Sequence, residues 1–237
     1  MAATESGRDP AGETAASSPA DSGGAQADAV ADLLASDLLR RAGPARQRLA
    51  DILHQLGAID RAVYAAVASV PAPALDRAMR RLSRSADRSR LWLGIAAALA
   101  LTGPAGRRSA TRGVVAIGVT SAMVNLGVKS LSGRRRPDRS GAGVPGARQV
   151  RMPTSSSFPS GHSASAFAFA TAISRDSPWT AIAIQFLAGG VAYSRVHTGV
   201  HYPGDTVAGA LIGAGTGQAV SSIFDRAVVR RDCAARR

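Results

Sequence analysis

GHSASAFAFATAISRDSPWTAIAIQFLAGGVAYSRVHTGVHYPGDTVAGALIGAGTGQAVSSIF, residues 161–224, carries the pattern that decides the fold. Only Arg175, Asp176, Arg195 and Asp205 are charged in it, so long runs of Ala, Gly, Ser, Ile and Val lie between short polar breaks. Counted outward, 23 uncharged residues separate Arg151 from Arg175, 18 separate Asp176 from Arg195, and 19 separate Asp205 from Asp225. Two earlier runs, Arg90 to Arg107 and Arg112 to Lys129, each enclose 16. A helix needs about 20 apolar residues to cross a bilayer, with about 17 as the lower bound, and flanking Arg or Lys can snorkel to the interface. The small residues suit close helix packing in lipid. These runs predict an all-α, polytopic membrane bundle of about five transmembrane helices, near 89–104, 112–130, 161–175, 178–195 and 204–224. A soluble all-α domain with Ala-rich core helices is the competing reading.

The rest of the chain is different. Residues 1–30 hold no bulky apolar side chain before Val30 and carry a net charge of −4. Such a stretch cannot bury a core and is expected to be a disordered acidic tail. It also lacks the basic start and apolar centre of a signal peptide. Residues 31–72 read as an amphipathic helical segment. Leu49, Ile52, Leu53 and Leu56 form one stripe beside Arg46, Arg48 and Arg61, Gly43-Pro44 reads as a break, and Pro71 and Pro73 end the segment. Residues 73–224 would form the membrane-embedded domain and 225–237 a basic C-terminal tail.

The 237 residues carry 29 Lys+Arg against 16 Asp+Glu, a formal charge of +13. That excess raises nucleic acid as a partner, but the arginines flank apolar runs and almost no aromatics lie between them for base stacking. No nucleic-acid partner is expected. A single cysteine, Cys233, excludes an internal disulfide framework and a cysteine-based zinc cluster. Of the basic residues only Lys129 is a lysine.

Three polar clusters fall at helix ends. Lys129 to Arg136-Pro137 closes the second run, Pro159-Ser160-Gly161-His162 opens the third, and Ser194-Arg195, His201 and Asp205 bridge the fourth and fifth. Successive spans alternate in direction, so all three clusters share one membrane face. Lys129, Arg136 and Arg195 supply fixed positive charge, and guanidinium forks match phosphate oxygens. Ser160 and Gly161 precede a helix whose N–H groups favour an anion. His162 and His201 offer a nucleophile and a general acid, and Asp205, four residues after His201, can orient its ring. The set reads as a phosphoryl-transfer site.

Lys129-x6-Arg136-Pro137, Pro159-Ser160-Gly161-His162 and Ser194-Arg195-x5-His201-x3-Asp205 reproduce, complete and in order, a three-part signature. On these residues the chain resembles the type 2 phosphatidic acid phosphatase family, whose site is shared with vanadium-dependent haloperoxidases and bacterial acid phosphatases. The wider resemblance runs from about Asp60 to Phe224 and looks similar to the phosphatase halves of actinobacterial proteins fused to a lipid kinase, although no kinase follows. The resemblance implies that His201 attacks phosphorus and forms a phosphohistidine, that Asp205 polarises it, and that His162 protonates the leaving oxygen and then activates water. It implies that Lys129, Arg136, Ser160, Gly161 and Arg195 hold the phosphate, with no metal or other cofactor. The expected partners are a lipid phosphate substrate and membrane lipids, and the expected location is the cell membrane, multi-pass. A count of arginines puts the site on the cytoplasmic face, whereas the family's usual arrangement implies an external one.

Three other readings compete. His197 and His201 mimic a two-histidine metal face with Asp205 as a third ligand, but three nearby cations disfavour a divalent ion. A haloperoxidase would use the same pocket for vanadate, and the membrane segments argue against it. A catalytically silent lipid-binding protein would have no need of His162, His201 and Asp205. The signature alone does not name the lipid.

Overall fold

The computed structural model describes residues 21–235, and the regular elements among them are all helices, with no β-strand. The helices are α1 (Asp21–Ser69), α2 (Pro73–Ser85), α3 (Arg90–Ala100), α4 (Pro104–Ala122), α5 (Lys129–Leu131), α6 (Gly161–Ile173), α7 (Pro178–His197) and α8 (Pro203–Ala235). The first twenty residues of the expected acidic tail lie outside the described residues. From Asp21 the chain is helical, and α1 runs through Pro44 instead of breaking there. A proline removes one helical hydrogen bond and bends a helix without having to end it. The chain divides into two units at Gln55/Leu56. In the first, Leu49, Ile52 and Leu53 are exposed; the bundle belongs to the second, from Leu56 onward.

At the centre of that bundle stands α6, buried on nearly every side from Ser163 to Ile173. It packs most extensively on α8, then on α4 and α7. The approach of α8 is set by Gly209, Gly213 and Gly217, spaced four apart on one face. A Cβ at these positions would collide with the backbone carbonyls of Ser160, Ala164 and Ala168 on α6. Only glycine allows two helix backbones so close. Trp92, Phe169, Ile173, Ile184 and Val191 fill the core between α3, α6 and α7.

The end of the bundle away from the motifs is closed by ions. Buried Arg112 on α4 donates to Asp225 of α8 at 2.6 Å and lies 3.5 Å from Asp176 in the α6–α7 turn. Beside the motifs, Arg148 is fully buried and holds the end of α1. Its guanidinium donates to the carbonyls of Val67 at 3.0 Å and Val70 at 2.8 Å, and its Nε lies 2.9 Å from Asp76 on α2.

Two of the five expected spans meet the requirements for crossing a membrane by length and composition: Pro104–Leu131, 28 residues, and Pro203–Val228, 26 residues. Of the others, α7 is long enough at 20 residues but is less apolar, and the remaining two are short because an uncharged run is not the same as a helix. The first expected span holds an 11-residue helix, α3, that stops at Ala100 ahead of Gly103 (φ 110°) and Pro104. At 1.5 Å per residue it reaches only about 16 Å. The 23-residue run before Arg175 begins as a loop through Ser160, leaving 13 residues for α6, about 20 Å.

Candidate active site

The three motif clusters meet at one end of the bundle. Lys129 comes after a π-helical turn, Met123–Val128, in which its N–H bonds the carbonyl of Val124, five residues back. Such turns insert one residue and re-aim the rest of the helix, often at functional sites. Lys129 lines a cavity of about 200 Å³ with Arg88, Ser121, Asn125, Gly161, His162 and Ser165. Its Nζ lies 3.5 Å from where a Cβ of residue 161 would stand, so Gly161 keeps that space open.

Arg136 lies in the loop between α5 and α6 and is fixed by backbone carbonyls. It donates to Ser155 at 2.9 Å, Ser156 at 3.1 Å and Val200 at 2.8 Å. The same Nη1 lies 3.3 Å from His201 Nε2, so this cation faces the nitrogen that would carry a phosphoryl group. Ser160 caps α6: its Oγ accepts from the Ser163 hydroxyl at 3.0 Å and from the Ser163 N–H at 3.4 Å. Its backbone N–H donates to the carbonyl of Asp205 at 2.9 Å, which joins the second cluster to the third.

His201 and Asp205 are buried, their side chains 2% and 0% exposed, with Nδ1 3.5 Å from Asp205 Oδ2. Asp205 sits in the first turn of α8, where the helix dipole favours a carboxylate. Oδ2 accepts from Ser157 Oγ at 2.5 Å and the Tyr202 N–H at 2.9 Å, and Oδ1 accepts from Arg134 at 2.8 Å. Burial pushes the His201 imidazole down to about 4, and Arg136 and Arg195 push the same way against the pull of Asp205. The ring is therefore neutral at pH 7. With the Nδ1 proton turned to Asp205, the Nε2 lone pair points to Arg136 and accepts from its Nη1 at 3.3 Å.

His162 opens α6, and its Nε2 lies 2.9 Å from Asp87 Oδ1. Arg195, 1% exposed near the end of α7, donates to Ser83 Oγ at 2.6 Å and lies 3.7 Å from the same Asp87 oxygen. The His162 contact holds Asp87 below the usual carboxylate range, aided by Arg195 and Arg90 and opposed by partial burial. His162 and Arg195 border a second cavity, of about 610 Å³.

All the residues expected from the motifs lie in this one region: Lys129, Arg136, Ser160, Gly161, His162, Arg195, His201 and Asp205. His197 does not join them. It points to α2, with Nε2 2.7 Å from Asp76 and Nδ1 3.2 Å from the Tyr193 hydroxyl. The two-histidine metal face therefore does not form, and no cluster suited to a metal ion occurs among the described residues.

Four contributors are not among the signature residues. Asp87 comes from the turn between α2 and α3. Arg134 bridges Asp205 and Asp60, donating to Asp60 at 2.5 Å, and its guanidinium stacks 4.6 Å from the Tyr202 ring centre. It is a buttress and not the solvated interfacial charge that the Arg134–Arg136 run suggests. Asp60 also accepts from the Gly204 N–H at 2.6 Å. Ser157 precedes its motif by two residues. The consecutive arginines hinted at Arg134; nothing local in the sequence marks Asp60, Asp87 or Ser157.

Residues 110–228 match the model of the PAP2 superfamily. The chain is 34% identical over 151 residues to a decaprenylphosphoryl-5-phosphoribose phosphatase of Mycolicibacterium smegmatis, covering 62% of this chain and 77% of that one. A protein of the same name from Mycobacterium tuberculosis is 33% identical over 164 residues, covering 68% and 89%. Among solved structures, a transmembrane PAP2 type phosphatidylglycerolphosphate phosphatase from Bacillus subtilis superposes with a TM-score of 0.58 at 22% identity, covering 73% of this chain and 87% of that one. LpxE of Aquifex aeolicus gives 0.54 at 23% identity, covering 67% and 92%. At these identities the two solved structures speak to the fold.

Proposed function

The chain belongs to the PAP2 superfamily, and from that premise we propose how its site works. It is a lipid phosphate phosphatase, a phosphoric ester hydrolase. In the proposed reaction His201 Nε2 attacks phosphorus while the bond to the leaving oxygen breaks and His162 gives that oxygen a proton. The products of this half are a phosphohistidine and a free alcohol or lipid monophosphate. Water then gives a proton to His162 and attacks phosphorus, the P–N bond breaks, and phosphate leaves. Lys129, Arg136, Arg195, Ser160 and the Gly161 amide hold the three phosphoryl oxygens and stabilise the charge that develops on them.

One observation carries this reading. A buried histidine, neutral at physiological pH, has one nitrogen toward a carboxylate and the other 3.3 Å from a fixed guanidinium. A nucleophilic imidazole needs that arrangement; a passive anion pocket would gain more from a second cation.

We infer a multi-pass location in the cell membrane. Two helices can cross, and outward-facing Val119, Leu126, Trp179, Phe186 and Leu211 give the bundle an apolar surface suited to lipid. The substrate is a lipid phosphomonoester or diphosphate whose head group reaches the site while its tail stays in the bilayer. The mycobacterial relatives put a polyprenylphosphoryl pentose phosphate on the panel to be tried. Phosphate release from a panel of lipid phosphates, with wild type and His201→Ala side by side, is the test. Release by wild type and none by the variant supports the reading. Equal release by both overturns the mechanism, and binding without release makes the protein a lipid-phosphate binder.

A further inference from the structure

The larger cavity holds more positive charge than one phosphoryl group uses. Arg195 and His162 line it, together with Arg88, Arg90, Arg151 and Asp87. Arg88, Arg90 and Arg151 do not belong to the signature. One carboxylate, Asp87, offsets only part of this charge, since it is engaged by His162 at 2.9 Å and faces Arg195 at 3.7 Å. Among the described residues, no carboxylate lies within 4.0 Å of Arg88, Arg90 or Arg151, and none of the three makes a side-chain hydrogen bond, unlike Arg134, Arg136, Arg139 and Arg148.

Backbone geometry places this charge. Arg88 and Ser89 both adopt left-handed conformations, φ 54° and 59°. Such a conformation is strained for a residue with a side chain, and it persists where surrounding structure enforces it. In this turn, strain brings Asp87, Arg88 and Arg90 to one cavity within four residues.

Position relative to the chemistry gives the cavity its meaning. His162 is the group that protonates the leaving oxygen in the mechanism proposed above, so the leaving group departs past His162. The Lys129 cavity, about 200 Å³, has the size of a phosphoryl pocket; the Arg-lined one, about 610 Å³, is in the range of a whole small ligand. Resting on that mechanism, we propose that the larger cavity is an outer anionic subsite. It takes a second phosphate, ester or diester, carried by the leaving group itself, with Arg90 and Arg151 as specificity determinants and Arg88 shared with the Lys129 cavity. The favoured substrate is then a lipid whose scissile phosphate sits on an already anionic leaving group, and phosphatidic acid, whose leaving group is a neutral diacylglycerol, is disfavoured.

The test uses the full chain in phosphatidylcholine vesicles, with phosphatidic acid and phosphatidylglycerol phosphate as competing probes. Their scissile monoesters are alike, but the leaving group of the second carries a phosphodiester. Wild type should favour phosphatidylglycerol phosphate in kcat/KM by about tenfold or more, as expected for charge-assisted contacts. In Arg90→Gln, and separately in Arg151→Gln, that ratio should fall about tenfold through KM, and the lysine variants should recover part of it. These exposed side chains bear no packing, and retained turnover of phosphatidic acid reports the fold. A ratio unchanged by the substitutions, or parallel loss on both probes, overturns the subsite and leaves the phosphatase reading standing. A ratio that responds only when anionic lipid is added to the vesicles assigns the arginines to the bilayer surface and overturns it too. No phosphate release from either probe by wild type, extended to the full lipid panel, brings down the phosphatase reading itself.

Discussion

Two histidine–carboxylate pairs stand at the same end of the bundle and are built in opposite ways. His201 and Asp205 are sealed, 2% and 0% exposed, and the carboxylate is held by a serine, a backbone N–H and an arginine that is itself held by Asp60. His162 and Asp87 are open, 23% and 48% exposed, beside a cavity. The proposed chemistry asks for that asymmetry. A nucleophile must stay neutral and keep one orientation, and burial does both. A group that passes protons to a leaving oxygen and takes them from water must be reachable by both.

Substitutions can break the comparison or sharpen it. His201→Ala should remove about 10⁵-fold or more of the phosphate release, the scale on which loss of a nucleophile is felt. It should also abolish acid-labile labelling of the protein by phosphate; retained turnover would show that the sealed pair is not the nucleophile. Asp205→Asn should cost about 10³- to 10⁴-fold in kcat, since the ring loses its orienting anion.

Acid should silence the sealed pair. The His201 imidazole is held near 4, so the acid limb of kcat/KM should have its midpoint near that value. Below it, activity falls about tenfold per pH unit as the lone pair is lost. Stability moves in the same direction, because an unfolded histidine binds its proton near about 6.5. As pH drops from there toward 4 the unfolded state binds more protons and stability declines, whereas at pH above the unfolded value this contribution is complete.

Asp87→Asn, in the open pair, should cost only about tenfold, in kcat more than KM, with Asp87→Glu recovering part of it. A loss equal to that of Asp205→Asn would erase the distinction between the pairs. Smallest on activity is His197→Gln. Its contact with Asp76 is structural, so the thermal midpoint should fall by a few degrees, as for loss of one buried hydrogen bond, while kcat stays near wild type.

The chemistry was more legible in the sequence than the architecture that holds it. The three clusters could be brought together from helix direction alone, because Lys129, His162, Arg195 and Asp205 sit at the ends of charge-poor runs. The spans were harder. Charge-free length is a property of composition, and Leu101-Thr102-Gly103 turns the chain without introducing any charge. Asp60 and Asp87 were hidden for another reason. Their partners lie more than 70 residues away, and no local pattern distinguishes a buttressing acid from a solvated one. Arg148 is similar: a lone arginine in a Gly- and Pro-rich loop proves to be the buried clamp on the end of α1.

The π-helical turn before Lys129 has a consequence for how this protein tolerates change in length. One surplus residue between Met123 and Val128 rotates everything after it by about 100° about the helix axis. Deleting Leu126, whose side chain is 81% exposed and packs on little, would restore ordinary helical winding and swing Lys129 off the pocket without altering any polar residue. The cation's aim is thus stored in a residue count, a kind of information to which substitution scanning is blind and a single-codon deletion is acutely sensitive.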